Sequence, residues 1–117
     1  MKRGDIVLTP LPQADGQVKP RPAVVLDLLP PFNHALACGI STQIRHAVSG
    51  FDEFMQPDDG DFRQSGLKAA SVIRLGYLTV LMPGDVICTI GKISDARMKR
   101  LLARLGGHFT ELASGIP

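Results

Sequence analysis

The chain has 117 residues, 44% hydrophobic and 21% charged, which is the size of one domain with one core and excludes disorder along its whole length. A net charge of +2 is too small to identify a nucleic-acid binder by electrostatics alone, so charge distribution has to decide. No apolar stretch approaches the ~18 residues of a membrane span, and no apolar run follows Met1-Lys2-Arg3-Gly4-Asp5, so the chain is expected to lack a leader and to be cytoplasmic.

Six of the nine prolines, at positions 10, 12, 20, 22, 30 and 31, fall in the first 31 residues. Proline removes a backbone donor and clashes inside a helix, so this third holds no long helix. Apolar runs at 5–9 and 23–28, rich in Val, Ile and Leu, predict the first two strands, joined by a loop over 13–19 that holds Asp15-Gly16. A third run, 35–44, predicts another strand. Three more follow at 71–75, 78–82 and 86–93, with Pro83-Gly84-Asp85 as a turn. Strands this closely spaced, with no helical period among them, predict a mainly β fold, a small antiparallel β-barrel. At the end of the chain Ser94 is placed to N-cap an α-helix over about 95–105, stopped by Gly106-Gly107. Met98, Leu101, Leu102 and Leu105 give it one apolar stripe. The whole chain, 1–117, reads as a single domain.

Charge is segregated. Asp52, Glu53, Asp58, Asp59 and Asp61 crowd an insert between strands, with basic groups Lys19/Arg21, Arg45 and Lys68/Arg74 around it. The insert is either a solvated loop or an acidic mask over a positive remainder suited to a polyanion. Cys38 and Cys88, in apolar strand-like surroundings, read as buried thiols. His34 and His46 bracket the third strand, which in extended form separates them by roughly 35–40 Å and precludes a shared phosphate. No metal-ligand spacing and no Gly-rich phosphate loop is present, so no cofactor is expected.

Two segments carry candidate chemistry. In Lys19-Pro20-Arg21-Pro22-Ala23-Val24-Val25 two prolines flank one arginine where a loop meets a strand. An arginine so held is pre-positioned for a phosphate or carboxylate; it reads equally well as a surface arginine at a strand start. Ile40-Ser41-Thr42-Gln43 closes the third strand with three hydrogen-bonding side chains, suited to phosphates and base edges or to a plain polar strand end.

Taken in order, Gly4-Asp5-Ile6, Arg21-Pro22-Ala23-Val24-Val25, Ile40-Ser41-Thr42-Gln43 and Ser71-Val72-Ile73-Arg74-Leu75 resemble the MazF/PemK family, toxins of toxin–antitoxin pairs that act as mRNA endoribonucleases. The resemblance covers about residues 3 to 106. It implies an SH3-like β-barrel with a C-terminal helix, a homodimer, and metal-independent cleavage of RNA by 2′-hydroxyl attack to a 2′,3′-cyclic phosphate, inhibited by a cognate antitoxin. The family's arginine before the strand-2 proline matches Arg21, its threonine or serine after the third apolar run matches Ser41, and a further arginine matches Arg74. These matches make Arg21 and Ser41 the candidate catalytic residues, with Lys19, Thr42, Gln43 and Arg74 as candidate RNA-binding residues. Two departures are visible. The loop holding Asp15-Gly16-Gln17-Val18-Lys19-Pro20 is short, and Gly76 stands where some members carry an acid two residues beyond the second arginine. The alternative function is therefore a non-catalytic module of the same fold that binds nucleic acid or antitoxin.

Overall fold

The computed structural model describes residues 1–117. Six strands form one antiparallel sheet: β1 (Asp5–Pro12), β2 (Val18–Leu29), β3 (His34–Ser41), β4 (Glu53–Met55), β5 (Ser71–Leu81) and β6 (Cys88–Lys92). Their order is β4-β5-β3-β2-β1-β6. The sheet curls into a half-barrel and stays open, because β4 and β6 do not pair. Helix α1 (Phe62–Ser65) lies against β6, and α2 (Asp95–Ser114) closes the chain.

Both faces of the curled sheet are packed. Ile6, Val24, Leu26, Cys38, Ile40, Ile73 and Leu75 bury one face beneath Leu101 and Leu105 of α2. The alternate residues Val7, Ala23, Val25, Ala35 and Ala37 fill the other with Leu11 and Leu81, as the period of two along a strand requires. That double burial is why β1 and β2 read as nearly continuous apolar runs.

The first two strands are longer than the apolar runs that announce them. Residues 18–22 of β2 pair with β1 alone, since β3 begins its pairing at Ala23. The carbonyl of Val25 accepts from Gly4 N on the β1 side, so by the same period the nitrogens of Pro20 and Pro22 face the open side. Proline there forfeits no ladder bond. The connection shrinks to a tight turn in which Asp15 accepts from Gln17 N and Gly16 takes a positive φ of 83°.

Between 71 and 82 one strand replaces the expected two. Its pairing with β3 jumps from Cys38↔Leu78 to Ile40↔Ile73, so Gly39 alone stands opposite residues 74–77. This wide bulge bends β5 and re-aims its side chains.

The acidic insert is neither a solvated loop nor a mask. It contains β4, and Asp52, Glu53 and Asp61 are buried. Helix α2 supplies the counter-charge. The Arg97 guanidinium, 5% exposed, donates from Nε to Asp61, from Nη1 to Glu53 and the Phe54 carbonyl, and from Nη2 to Asp59 and Asp61. All five of its N–H groups are thereby used. Arg100 adds a two-pronged bond to Glu53, and Arg104 donates to the carbonyls of Phe51 and Asp52.

Three further differences from the sequence reading concern single elements. Ser94 caps α2 as expected, its Oγ accepting from Arg97 N at 3.2 Å, but the helix runs past Gly106-Gly107 to Ser114. Neither glycine takes the left-handed conformation that ends helices, and the His108 ring beyond them sits 5.1 Å from that of Phe51. Cys88 is exposed, because β6 is an edge strand, whereas Cys38 is buried. Burial, reinforced by the nearby Asp52 carboxylate, pushes the Cys38 thiol up to about 12, which leaves it protonated and inert. The third strand ends at Ser41, three residues before the end of its apolar run.

The Arg97 cluster sets an expected response to acid. Its hydrogen bond to Arg97 lowers the Asp61 carboxyl from 3.8 to about 2. A depressed folded-state value gives stability that is present above the unfolded value and lost as pH falls through the folded one. Resistance to urea should therefore fall as pH drops from about 4 to about 2. Arg97→Met should cost about 3–5 kcal/mol at neutral pH, because it strands buried carboxylates, and should flatten that acid dependence. A variant as stable as the parent would show that the cluster does not hold the insert.

Candidate functional site

A groove of about 550 Å³ opens where four segments meet. The β1–β2 ribbon supplies Leu8, Leu11, Gln13, Arg21 and Pro22, and the end of β3 supplies residues 39–43. The segment after α1 gives residues 66–69, and the β5 bulge gives Arg74 and Tyr77.

Each wall has a local cause. Arg21 lies on the projecting ribbon, opposite Thr9 of β1, and its backbone runs between two prolines with φ fixed. Ser41 Oγ accepts from Gln43 N at 3.0 Å, a turn that takes the chain out of the strand. Because the strand stops there, Ser41, Thr42 and Gln43 can all line the groove, where strict alternation would have turned the middle one away. Arg74 and Tyr77 owe their direction to the bulge. The Tyr77 ring lies over Gly39, where a Cβ would come within 3.3 Å of it, and its hydroxyl donates to the Pro12 carbonyl at 2.7 Å. The bulge is thereby tied to the ribbon. On the last wall Gly66, with φ 74°, ends α1 in the left-handed conformation. A Cβ on Gly66 would collide with the Ile90 carbonyl, and one on Gly91 with the Ser65 carbonyl. Two glycines thus let α1 cross β6 backbone to backbone, and that crossing sets the Lys68 wall.

Five of the six candidate residues are brought together here: Arg21, Ser41, Thr42, Gln43 and Arg74. The sixth, Lys19, is absent from the lining; it shares a face with Arg21 two residues farther along the ribbon. Other lining residues were missed, Lys68, Gln13 and Tyr77 among them. Lys68 was visible only as part of a basic set with Arg74. Gln13 and Tyr77 carried no signal, because the turn and the bulge that aim them come from pairing register.

The groove's electrostatics are one-sided. Arg21, Lys68 and Arg74 line it, with no Asp, Glu or His among the lining residues. Arg97, Arg100 and Arg104 are paired with Glu53, Asp59 and Asp61, whereas none of the three groove cations forms a salt bridge. Elsewhere no group of three or more His, Cys, Asp or Glu is placed to hold a metal ion, and no helix is long and apolar enough to cross a membrane.

The curled sheet thus carries one cationic, hydroxyl-bearing groove. The family model described as PemK-like, MazF-like toxin of type II toxin–antitoxin system matches residues 2–109, and the chain belongs to that family. No individual curated protein matches it significantly. Members of this family are toxins paired with an antitoxin and are generally endoribonucleases.

Proposed function

We propose that the protein is a metal-independent endoribonuclease that cuts single-stranded mRNA in the Arg21–Arg74 groove. One observation carries this reading: two arginines and a lysine without salt-bridge partners converge on a groove that also holds Ser41 and Thr42 and lacks any carboxylate. Such a site attracts phosphodiesters and repels nothing in them.

In the proposed reaction the RNA 2′-oxygen attacks the adjacent phosphorus, and the bond to the 5′-oxygen breaks. The products are a 2′,3′-cyclic phosphate and a 5′-hydroxyl. The 2′-hydroxyl gives up its proton and the leaving oxygen takes one up. Negative charge grows on the phosphoryl oxygens at the pentacoordinate stage. Arg21, permanently protonated and held in direction by its prolines, stabilises that charge without reorganising. Ser41 Oγ accepts the Gln43 N–H, which leaves its own O–H free to donate to a phosphoryl oxygen. Arg74 and Lys68 hold the flanking phosphates, while Thr42 and Gln43 meet sugar or base edges. Lys19 extends the positive edge along the ribbon.

A second reading has its own observation. The groove contains neither a carboxylate nor an imidazole to take the 2′ proton, and open space lies where a Cβ on Gly76 would be. A binding module that has lost catalysis fits those facts. The cognate antitoxin, in either reading, offers an acidic segment that covers the groove cations and competes with RNA, so its binding weakens as salt rises.

The chain is proposed to act as a homodimer. Leu78 and Val80 on β5 with Met82 just beyond it, and Phe109 and Leu112 on the last turns of α2 with Ile116 after them, are exposed apolar side chains that association would cover. Sedimentation equilibrium at tens of micromolar should return twice the 12.6 kDa chain mass; a monomer would rule the dimer out.

Single-turnover cleavage of a long RNA tests the activity. Arg21→Ala should cut about 10²–10³-fold more slowly, and its melting should stay within about 0.5 kcal/mol of the parent because Arg21 is exposed. Arg21→Lys should rescue poorly, offering a point charge in place of a planar fork. Parent-like cleavage by folded Arg21→Ala would move the active site elsewhere, and no cleavage of any RNA by the parent would favour the binding module.

A further inference from the structure

Asp52 is a buried carboxylate that takes part in none of the ion pairs around Arg97. It is 8% exposed, and its partners are two backbone N–H groups, Val48 N on Oδ2 and Leu75 N on Oδ1, each at 2.9 Å. The basic side chain nearest in bonding terms, Arg104, donates to the Asp52 main-chain carbonyl at 2.8 Å and not to the carboxylate. A buried negative charge without a cationic partner is costly, so what it does for those two donors has to matter.

The Leu75 N–H identifies the need. Leu75 lies inside the β5 bulge, where residues 74–77 face only Gly39 of β3 and β4 has already ended its pairing at Ile73. This N–H therefore has no strand to donate to, and a buried backbone donor is rarely left unpaired. An ionised carboxylate accepts on both oxygens and donates from neither, so one Asp can serve two donors from separate segments. Asparagine in its place would turn its NH₂ toward one of them.

We propose that Asp52 is a positioning residue of the groove: its carboxylate takes the place of the missing strand partner at Leu75 and thereby fixes the direction in which Arg74 enters the groove. Arg74 directly precedes Leu75, so the peptide plane held by Asp52 joins these two residues. The Tyr77 hydroxyl anchors the other end of the bulge on Pro12. Held at both ends, the bulge presents Arg74 already ordered, and little freedom is lost when a phosphate arrives. The functional consequence rests on the RNA reading above; the structural link does not.

Two measurements separate these parts. In amide hydrogen exchange followed by NMR, Asp52→Leu keeps the branched shape and serves neither donor, and Leu75 N–H should lose protection at least about tenfold relative to Ile73 N–H on the same strand. Unchanged protection at Leu75 would overturn the proposal. Asp52→Asn, the milder change, should lose protection at Leu75 or at Val48, and protection retained at both would overturn it equally. The second measurement is binding of a 2′-O-methyl oligoribonucleotide, which cannot be cut. Arg74→Ala and Asp52→Asn should each weaken binding, and the double variant should bind no more weakly than Arg74→Ala alone. Losses that simply add would show that Asp52 acts on stability and not through Arg74. Failure of the parent protein to bind the probe would overturn the RNA reading, and the exchange result would then decide the Asp52 claim by itself.

Discussion

Arg97 is a guanidinium with all five N–H groups committed, four of them to the carboxylates of Glu53, Asp59 and Asp61 and one to the Phe54 carbonyl. It joins the C-terminal helix to the acidic stretch of chain that holds β4. Burial alone would lower the Arg97 pKa, but the hydrogen bonds and charge of Asp61, with the charge of Glu53, more than offset this and hold it raised. The pairing therefore stays intact at any pH where the carboxylates are ionised. Its net worth against replacement of the whole cluster by apolar residues is small in general; what it provides is register, because a planar fork donates to those oxygens in one arrangement only.

The groove inherits that register. The insert clasped by Arg97 contains Asp52, whose carboxylate reaches the β5 bulge, and it runs on through α1 to Gly66 and the Lys68 wall. Both cationic walls on this side, Arg74 and Lys68, thus hang on the packing of one segment against α2. The opposite wall is independent of it. Arg21 stands on a two-stranded ribbon whose prolines fix φ without disturbing the sheet. Three acids and three arginines neutralise one another behind the groove, and the three cations in front remain unpaired. A nearly neutral protein can in this way present a strongly positive cleft.

Much of the architecture was legible in the residues. Proline density excluded helices from the first third, apolar runs marked β1, β2, β3 and β5, and Ser94 marked the start of α2. Illegible features were those decided by tertiary contact. Gly106-Gly107 looked like a stop because glycine favours a left-handed cap, yet the helix continues at a cost of about 1 kcal/mol per glycine. The acidic run reads as a solvated loop or an acidic mask because nothing in its sequence reports that three arginines 36 to 52 residues away would bury it. Within the groove, Arg21, Ser41, Thr42, Gln43 and Arg74 could be named from local pattern and family resemblance. Tyr77, Gln13 and Lys68 could not, since their directions depend on a bulge, a turn and a glycine crossing.

The central claim is that Arg21, Lys68 and Arg74 act together as the phosphate-binding surface for a single RNA strand. Each phosphate neutralised on single-stranded nucleic acid contributes about −0.7 to the slope of log K against log salt concentration. An affinity titration of a 2′-O-methyl oligoribonucleotide across salt should give a slope of about −2 for three contacts, falling toward zero when all three residues are replaced by alanine. A slope that survives the triple replacement would place the RNA on another surface and contradict the account.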